Sequence, residues 1–222
     1  MSLFRDRTHA GEKLTDALPP VEDPVVIALP RGGVPVAAPI ADRLGAPLDV
    51  LLIRKVGAPH QPELAVAAVS DGETMQLAVN EEIAGALGLT EADLRELAKP
   101  QLAEIERRRA LYFADHPPMP LAGRTVILVD DGVATGATAR AALQLVRRQH
   151  PARLILALPV APPATLEALG KLADETVCLA SPERFHAVGA FYDDFDQVDD
   201  AEVMRILARA GTPARTGDDQ DQ

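Results

Sequence analysis

The stretch VILVDDGVATGAT, residues 126–138, joins a short apolar run to two adjacent aspartates and a loop of small residues. Residues 126–129 form a continuous run rich in β-branched side chains, which predicts a buried parallel strand. Asp130 and Asp131 then lie at the carboxyl end of that strand, where open α/β sheets bind their ligands. Small residues lead from Gly132 into an alanine-rich segment with the apolar spacing of a helix. This order of elements predicts a ligand site at the edge of a sheet.

The loop after the acidic pair has the composition of a phosphate site. A loop that enters a helix presents backbone N–H groups and the positive end of the helix dipole, which together bind one phosphate. Thr135 and Thr138 add hydroxyl donors, and Gly132 and Gly136 let the backbone approach a ligand closely. The spacing matches neither GxxxxGK[ST] nor GxGxxG, so it is neither a Walker loop nor a dinucleotide-binding motif.

The two carboxylates predict a different chemical partner. They repel phosphate but suit hydroxyl groups or a metal ion, and a ribose 5-phosphate offers hydroxyls beside its phosphate. The alternative interpretation is structural: a buried strand ends in a turn, and Asp131 caps the helix that follows. Two threonines directly after two acids favour the ligand site.

Composition limits the class of protein. The 222 residues are 47% hydrophobic but only 3% aromatic, which predicts a sizeable aliphatic core. The single cysteine, Cys178, cannot form an internal disulfide and fits a reducing cytoplasm. No apolar run reaches membrane-spanning length, and a formal net charge of −11 disfavours nucleic acid and anionic membranes as partners. We therefore expect a cytoplasmic protein with a small-molecule ligand, whose site carries local positive charge.

Apolar runs and helical patterns alternate along the chain, which predicts an α/β fold with a mainly parallel twisted sheet flanked by helices. We expect one domain over residues 1–210 and a disordered acidic tail over 211–222. Asn80 and the TEAD sequence at 90–93 should each start a helix, and Pro100 should kink or interrupt the second. The predicted strands cover 25–29, 49–53, 64–69, 74–79, 126–129, 154–158 and 176–180, and the predicted helices cover 7–18, 34–44, 80–114, a segment from Pro163, and 198–207.

Residues 54–63, RKVGAPHQPE, are predicted to form a long irregular loop. Its glycine and two prolines disfavour regular structure, and a loop of this length suggests a function beyond connection. Arg54 and Lys55 at its start either act on a ligand or remain solvated at the rim.

VILVDDGVATGAT closely resembles the phosphoribosyl pyrophosphate signature of type I phosphoribosyltransferases, in which an apolar strand and two acids precede a T-G-x-T loop. The resemblance implies that Asp130 and Asp131 bind the ribose hydroxyls. It also implies that the following loop binds the 5-phosphate, through Gly132, Ala134, Thr135, Gly136, Ala137 and Thr138. The fold it implies is the parallel sheet of that family, with a helical insertion at 80–114 and a small hood at about 159–200.

Further stretches extend the resemblance along the chain from Phe4 to Leu207. ALPRGGVPVA is similar to the pyrophosphate loop of the family. This similarity implies a cis peptide between Pro30 and Arg31, and pyrophosphate binding by Arg31, Gly32 and Gly33.

Two more segments match parts of the family. Residues 54–63 lie where the family has its flexible catalytic loop, which implies catalytic roles for Arg54 and Lys55. FHAVGAFYDDF, residues 185–195, resembles the closing signature of a bacterial subfamily of unassigned acceptor. Its aromatic residues either cover the acceptor as a hood or pack in the core; they are Phe185, Phe191 and Tyr192.

The activity implied by the resemblance is transfer of a phosphoribosyl group, a pentosyl glycosyltransferase reaction of nucleotide metabolism. The donor would be 5-phosphoribosyl 1-pyrophosphate, and the acceptor a nitrogenous base or a related compound. Mg2+ is the implied cofactor, bound mainly through the substrate, with Asp130 and Asp131 as further candidate ligands. A homodimer is a further expectation.

One position departs from the family pattern. Many purine-salvage members carry an acidic residue just before T-G, where this sequence has Ala134, and this argues against purine salvage by their mechanism. Two alternatives keep the same site: a non-catalytic sensor of phosphoribosyl pyrophosphate or a nucleotide, and a hydrolase of a phosphoribosyl compound.

Overall fold

The computed structural model describes residues 2–59, 61–70, 76–113 and 118–210; His60 and the predicted tail at 211–222 lie outside these ranges. In chain order the elements are α1 (Arg7–Ala17), β1 (Pro24–Ala28), α2 (Gly33–Leu44), β2 (Leu48–Val50), β3 (Ile53–Ala58), β4 (Gln61–Ser70), β5 (Gln76–Val79), α3 (Glu81–Ala86), α4 (Glu91–Phe113), β6 (Thr125–Val129), α5 (Ala137–Arg147), β7 (Arg153–Val160), α6 (Pro163–Gly170), β8 (Glu175–Ala180), a 3-10 helix (Val188–Phe191) and α7 (Asp200–Ala210).

The main sheet is wholly parallel, with its five strands in the order β2-β1-β6-β7-β8. This confirms the predicted α/β fold with a mainly parallel sheet flanked by helices. Ile127 and Val129 of β6 pack in the core that α1, α2 and α7 cover, whereas Val126 and Leu128 pack against α5. Because both faces are covered, β6 is apolar at 126–129, the four positions after Thr125, which is why its sequence does not alternate.

Strands β1 and β6 are neighbours that end together, since Ala28 lies opposite Val129. The carboxyl ends of parallel strands meet at one edge of the sheet, so the segments after these two strands emerge side by side. The Leu29 N–H donates to the Val129 carbonyl at 2.9 Å, and the Gly33 N–H donates to the Leu29 carbonyl at 3.0 Å. The RGG segment at 31–33 therefore begins beside the acidic pair.

The predicted long loop at 54–63 is wrong, because most of it is strand. β3 and β4 pair antiparallel and β5 extends them, which gives a separate three-stranded sheet and confirms the strand pair predicted for 64–69 and 74–79. The single strand predicted over 49–53 is also wrong, since β2 ends at Val50 and β3 begins at Ile53. Shifts in register around Gly57 accommodate the glycine, and the two prolines lie between or near the ends of the strands.

Residues 80–114 hold two helices, as predicted, and Asn80 and Thr90 cap them. The Thr90 N–H donates to Asp93 Oδ2 at 2.8 Å and the Asp93 N–H donates to Thr90 Oγ1 at 3.2 Å, a reciprocal capping box. Helix α4 continues through Pro100, so of the two outcomes predicted for this proline, a kink or an interruption, the interruption is wrong. Tertiary packing holds α4 through its buried side chains, which include Leu94, Ala98, Ile105 and Tyr112. Neither α4 nor any other described helix is long and apolar enough to cross a bilayer.

The range predicted for the hood, 159–200, is too wide. β8 is the edge strand of the parallel sheet and α6 leads into it, so residues 163–180 belong to the body of the domain. The segment at 185–198, by contrast, runs past the acidic pair and closes the edge of the sheet.

Candidate functional site

Asp130 and Asp131 lie just beyond β6 and are partly buried. Asp131 Oδ2 accepts a hydrogen bond from Arg7 Nε at 2.8 Å, in an ion pair whose carboxylate and guanidinium side chains are 16% and 11% exposed. The Tyr192 hydroxyl donates to the Asp131 carbonyl at 2.6 Å. The structural alternative for Asp131 is wrong, because α5 starts from Gly136 and has no side-chain cap.

Burial dominates the proton affinity of the acidic pair. It raises the pKa of Asp130 well above the usual value, and the negative charge of Asp131 raises that pKa further. Burial also raises the pKa of Asp131, although the hydrogen bond from Arg7 opposes the rise. Ionised carboxylates are therefore disfavoured here until a ligand with hydroxyl donors or positive charge stabilises them.

Asp130→Asn should raise the stability of the ligand-free protein at neutral pH by a few degrees in Tm, because about 1 kcal/mol moves the Tm of a domain this size by about 2–4 °C. The pKa of Asp130 is higher in the folded protein than in the unfolded chain. The contribution of Asp130 to the free energy of unfolding therefore falls as pH rises from its pKa in the unfolded chain to its pKa in the folded protein. In the wild type the Asp131 N–H donates to Asp130 Oδ1 at 2.9 Å. The side-chain oxygen of Asn can accept the same hydrogen bond. Thermal unfolding measures the Tm of the wild type and of Asp130→Asn as a function of pH. The two Tm curves should converge at acid pH and separate toward neutral pH; parallel curves would contradict this prediction.

The glycines of the predicted pyrophosphate loop lie directly against the acidic pair. A Cβ at Gly32 would lie 2.0 Å from Asp131 Oδ2, and one at Gly33 would lie 2.7 Å from a carbonyl oxygen of β6. No side chain fits there, so both positions require glycine because of close approach. The peptide between Pro30 and Arg31 is cis, as the resemblance implied.

Residues 134–136 form the turn that leads into α5, and Ala137 and Thr138 are the first two residues of that helix. Gly136 has a φ of 73°, in the left-handed region that favours glycine. Thr165 Oγ1 of α6 donates to the Ala134 carbonyl at 2.9 Å and fastens the loop. The side chains of Thr135 and Thr138 are exposed beside the helix N-terminus, where an anion would bind.

A cleft of about 440 Å³ separates the three-stranded sheet from α5, and Thr135, Thr138 and the exposed Lys55 of β3 line it. Successive side chains of a strand point to opposite faces, so Arg54 and Lys55 cannot act from the same side. Arg54 Nη2 lies 3.5 Å from Glu104 Oε1 on α4. Arg54 and Thr138 both line a crevice of about 50 Å³. The structure therefore brings Lys55 into the cleft and pairs Arg54 with α4.

A second cavity, of about 370 Å³, opens beside the acidic pair. Arg31 Nη1 lies 3.8 Å from Asp200 Oδ1, and the Arg31 side chain is 34% exposed, which leaves it accessible to an anion in the cavity. The lining combines two cations, one carboxylate and an aromatic ring; it consists of Arg7, Arg31, Gly32, Asp131, Phe195, Gln197 and Val198.

The three aromatic residues predicted as a hood do not share one role. Tyr192 is only 6% exposed, and its ring centroid lies 5.2 Å from that of Phe4 and 4.9 Å from that of Phe195. Its ring cannot stack on an acceptor, so the hood interpretation is wrong for Tyr192. Phe185 and Phe191 are partly buried, with centroids 5.3 Å apart, and they stay candidates for the hood.

Arg7 belongs to the site although no sequence pattern predicted it, and Phe195 ends the 185–195 signature but was not among the three aromatic residues singled out there. The Arg7–Asp131 contact joins positions 124 residues apart, beyond the reach of any local pattern. No local signal singles out Arg7, because the N-cap carboxylate of Asp6 already gives it an acidic neighbour at the start of α1.

The described residues contain no group of three or more His, Cys, Asp or Glu side chains that could hold a metal ion. Asp130 and Asp131 offer carboxylate oxygens, but Arg7 already occupies one of them. Mg2+ commonly binds through one or two carboxylates together with substrate phosphates. The donor set therefore fits a magnesium ion that arrives with a phosphorylated ligand.

The chain is similar to known proteins over most of its length. The model of the phosphoribosyl transferase domain family matches residues 8–196. The Mycobacterium tuberculosis proteins named "Putative phosphoribosyl transferase" Rv0571c and MT0597 are each 43% identical over 212 residues, which is 95% of this chain; the chain spans 47% of their length. The crystal structure of TT1426 from Thermus thermophilus is 45% identical, with a TM-score of 0.81, and the alignment covers 93% of this chain and 98% of that one.

The family match includes both stretches that meet at the edge of the sheet, RGG at 31–33 and DDGVATGAT at 130–138. With this match and the high identity over most of its length, the chain belongs to the phosphoribosyl transferase family.

Proposed function

We propose that the protein transfers a phosphoribosyl group from 5-phosphoribosyl 1-pyrophosphate to a nitrogenous base or related acceptor and releases pyrophosphate. One observation carries the proposal: the acidic pair, the glycine loop and the loop at the start of α5 all meet at the carboxyl edge of the parallel sheet. The contact is close, because a Cβ on Gly32 would lie 2.0 Å from Asp131 Oδ2. A ligand that binds Asp131 therefore also lies beside the glycine loop.

The charges at this edge match the parts of such a donor. The hydroxyls of Thr135 and Thr138 and the N–H groups at the start of α5 suit the 5-phosphate. Asp130 and Asp131 accept hydrogen bonds from the ribose hydroxyls, which compensate for their burial. Arg31 and the backbone of the glycine loop suit the pyrophosphate.

Catalysis in this proposal is mainly electrostatic. Departure of pyrophosphate leaves an oxocarbenium-like sugar and a growing negative charge on the leaving group. The acidic pair stabilises the cationic sugar, and Arg31 and Lys55 stabilise the leaving group. When bound, Mg2+ neutralises part of the pyrophosphate charge. Fixed positions for both reactants account for most of the remaining acceleration.

The threonines should act through the 5-phosphate. Thr135→Val and Thr138→Val should each weaken binding of ribose 5-phosphate by roughly 1.5–3 kcal/mol, the contribution of a hydrogen bond to a charged group. In the wild type, ribose 5-phosphate should compete with 5-phosphoribosyl 1-pyrophosphate in a calorimetric titration, whereas ribose, the matched ligand without the phosphate, should not. Equal competition by the two sugars would mean that the phosphate binds elsewhere.

The acceptor is best identified by measuring pyrophosphate release with 5-phosphoribosyl 1-pyrophosphate, Mg2+ and a panel of bases. Release that depends on one base supports the transferase and names its acceptor. Because Ala134 replaces an acidic residue, we expect little response to purines. Release at the same rate without any base would favour the hydrolase, and donor binding without release would favour the sensor.

The remaining expectations are a cytoplasmic location and a homodimer. The first is supported by the single cysteine, Cys178, whose sulfur lies 3.1 Å from the Ala180 carbonyl and whose pKa is raised by burial, as for an unreactive thiol. Analytical ultracentrifugation tests the second.

A further inference from the structure

We propose that Arg7 is a positioning residue of the donor site: its guanidinium holds one oxygen of the Asp131 carboxylate and leaves the other for the ribose hydroxyls. This inference rests on the proposed function, and it assigns a role to a residue outside the signature motifs.

Three contacts fix the Arg7 guanidinium. Its Nε donates to Asp131 Oδ2 at 2.8 Å, and its Nη1 donates to the Asp196 carbonyl at 2.8 Å. Its Cζ lies 3.8 Å from the centroid of the Phe195 ring, a cation–π contact. With 11% of the side chain exposed, Arg7 has little freedom to move away from Asp131.

The same contacts fix the orientation of Asp131. Gly32 packs against Oδ2 on one side, Arg7 binds this oxygen on another, and the Tyr192 hydroxyl holds the backbone carbonyl at 2.6 Å. A carboxylate held in this way meets the sugar without first losing rotational freedom. Preorganised polar groups of this kind are what make electrostatic stabilisation effective.

Arg7 also reduces the electrostatic repulsion between the acidic pair and an anionic donor. Two adjacent carboxylates must receive a donor that carries several negative phosphate charges, in a protein of net charge −11. A cation 2.8 Å from one carboxylate offsets part of this repulsion, and partial burial keeps the offset from being screened. Arg7 borders the 370 Å³ cavity, but its guanidinium is taken up by Asp131, the Asp196 carbonyl and the Phe195 ring, so it acts on a ligand through Asp131.

A purely structural role, in which Arg7 ties the start of the chain to the segment at 191–196, is less well supported. Backbone hydrogen bonds already make that connection: Leu3 and Phe4 N–H donate to the Phe191 carbonyl at 2.9 and 3.0 Å, and the Asp194 N–H donates to the Arg5 carbonyl at 2.8 Å. Substitution of the Arg7 side chain leaves all of them in place.

The test is a double-mutant cycle with Arg7→Met, Asp131→Asn and the combined variant, titrated calorimetrically with ribose 5-phosphate. Arg7→Met should weaken binding by about 10- to 100-fold, the range for losing a group that orients a ligand-binding side chain. In the Asp131→Asn background it should have little further effect, because Arg7 acts through that carboxylate. The phosphate contacts should keep binding measurable in every variant.

Arg5→Met is the matched control, since Arg5 is on the same segment, is 70% exposed and lies 3.9 Å from Glu12. It should bind ribose 5-phosphate like the wild type. Arg7→Lys covers the case in which the Met variant does not fold. It keeps the charge and the stem but lacks the planar guanidinium, whose Nε and Nη1 reach Asp131 and the Asp196 carbonyl at a fixed spacing, so it should also bind more weakly.

Equal effects of the Arg7 substitution with and without Asp131→Asn would overturn the positioning role and leave the proposed function standing. A wild-type protein that binds neither ribose 5-phosphate nor 5-phosphoribosyl 1-pyrophosphate would overturn both. Strong coupling between the two positions supports the inference.

Discussion

Replacing Asp130 and Asp131 together by Asn should reduce phosphoribosyl transfer by at least about 10²–10³-fold, the loss that follows removal of one preorganised electrostatic group. The two carboxylates stabilise the sugar when positive charge develops on it, and the amides cannot. The fold should persist, because the substitution relieves burial of charge at a strand end. Single-turnover pyrophosphate release measures the rate, and calorimetry with 5-phosphoribosyl 1-pyrophosphate measures donor binding.

The chain offers a matched control in Asp193 and Asp194, another adjacent aspartate pair, which is exposed. Asp193→Asn with Asp194→Asn makes the same change in charge and should leave the transfer rate within a few-fold of the wild type. If the variant at 130 and 131 binds the donor as tightly as the wild type, the ribose assignment of the acidic pair is wrong.

Lys55→Met should lower the single-turnover rate at saturating donor by about 10²-fold or more, with only a small change in donor affinity. Lys55 is exposed on β3 at the rim of the cleft that Thr135 and Thr138 line, so closure of the hairpin formed by β3 and β4 would bring its charge toward the phosphates. Contacts that tighten as the leaving group gains charge act on the rate more than on binding. Closure would also keep water from the cationic sugar.

Two comparison variants sharpen this prediction. Lys99→Met removes another exposed lysine, which lies on α4 and pairs with Glu96, and should leave rate and affinity unchanged. Arg54→Ala should mainly affect stability, because the Arg54 guanidinium pairs with Glu104. An unchanged single-turnover rate in Lys55→Met would show that this lysine is a static rim charge, and a larger loss of rate in Arg54→Ala would reverse the assignment of the two cations.

The parallel sheet and its acidic edge could be predicted from sequence because their signals are local. A strand buried on both faces must be apolar throughout, and its end is marked by the first charged residues, Asp130 and Asp131. The same holds for the helices, whose caps at Asn80 and Thr90 lie within a few residues of the groups they satisfy.

The errors lie where distant pairing decides the structure. β3 is a strand because β4 pairs with it, with Val56 opposite Ala67, and this pairing overrides the local preference of Gly57 for irregular structure. The opposite directions of Arg54 and Lys55 follow only once that segment is known to be a strand. Tyr192 is one of the three predicted hood residues, but its ring packs against Phe4, so it is a core residue. Phe4 lies far from Tyr192 in the sequence, so no local pattern indicates this contact.

The pairing of residues 3–5 with residues 191–194 has a practical consequence for anyone who expresses or modifies the protein. Exposed, poorly packed segments ordinarily tolerate insertions and linkers. Here Phe4 is only 3% exposed and the Asp193 N–H donates to its carbonyl at 2.9 Å, so residues 3–5 are held against the segment that supplies Phe195 to the cavity. A modification that pulled residues 3–5 away from residues 191–194 would displace Arg7 from Asp131 without disturbing the sheet. Such a protein would keep its fold but lose the arrangement of the acidic pair.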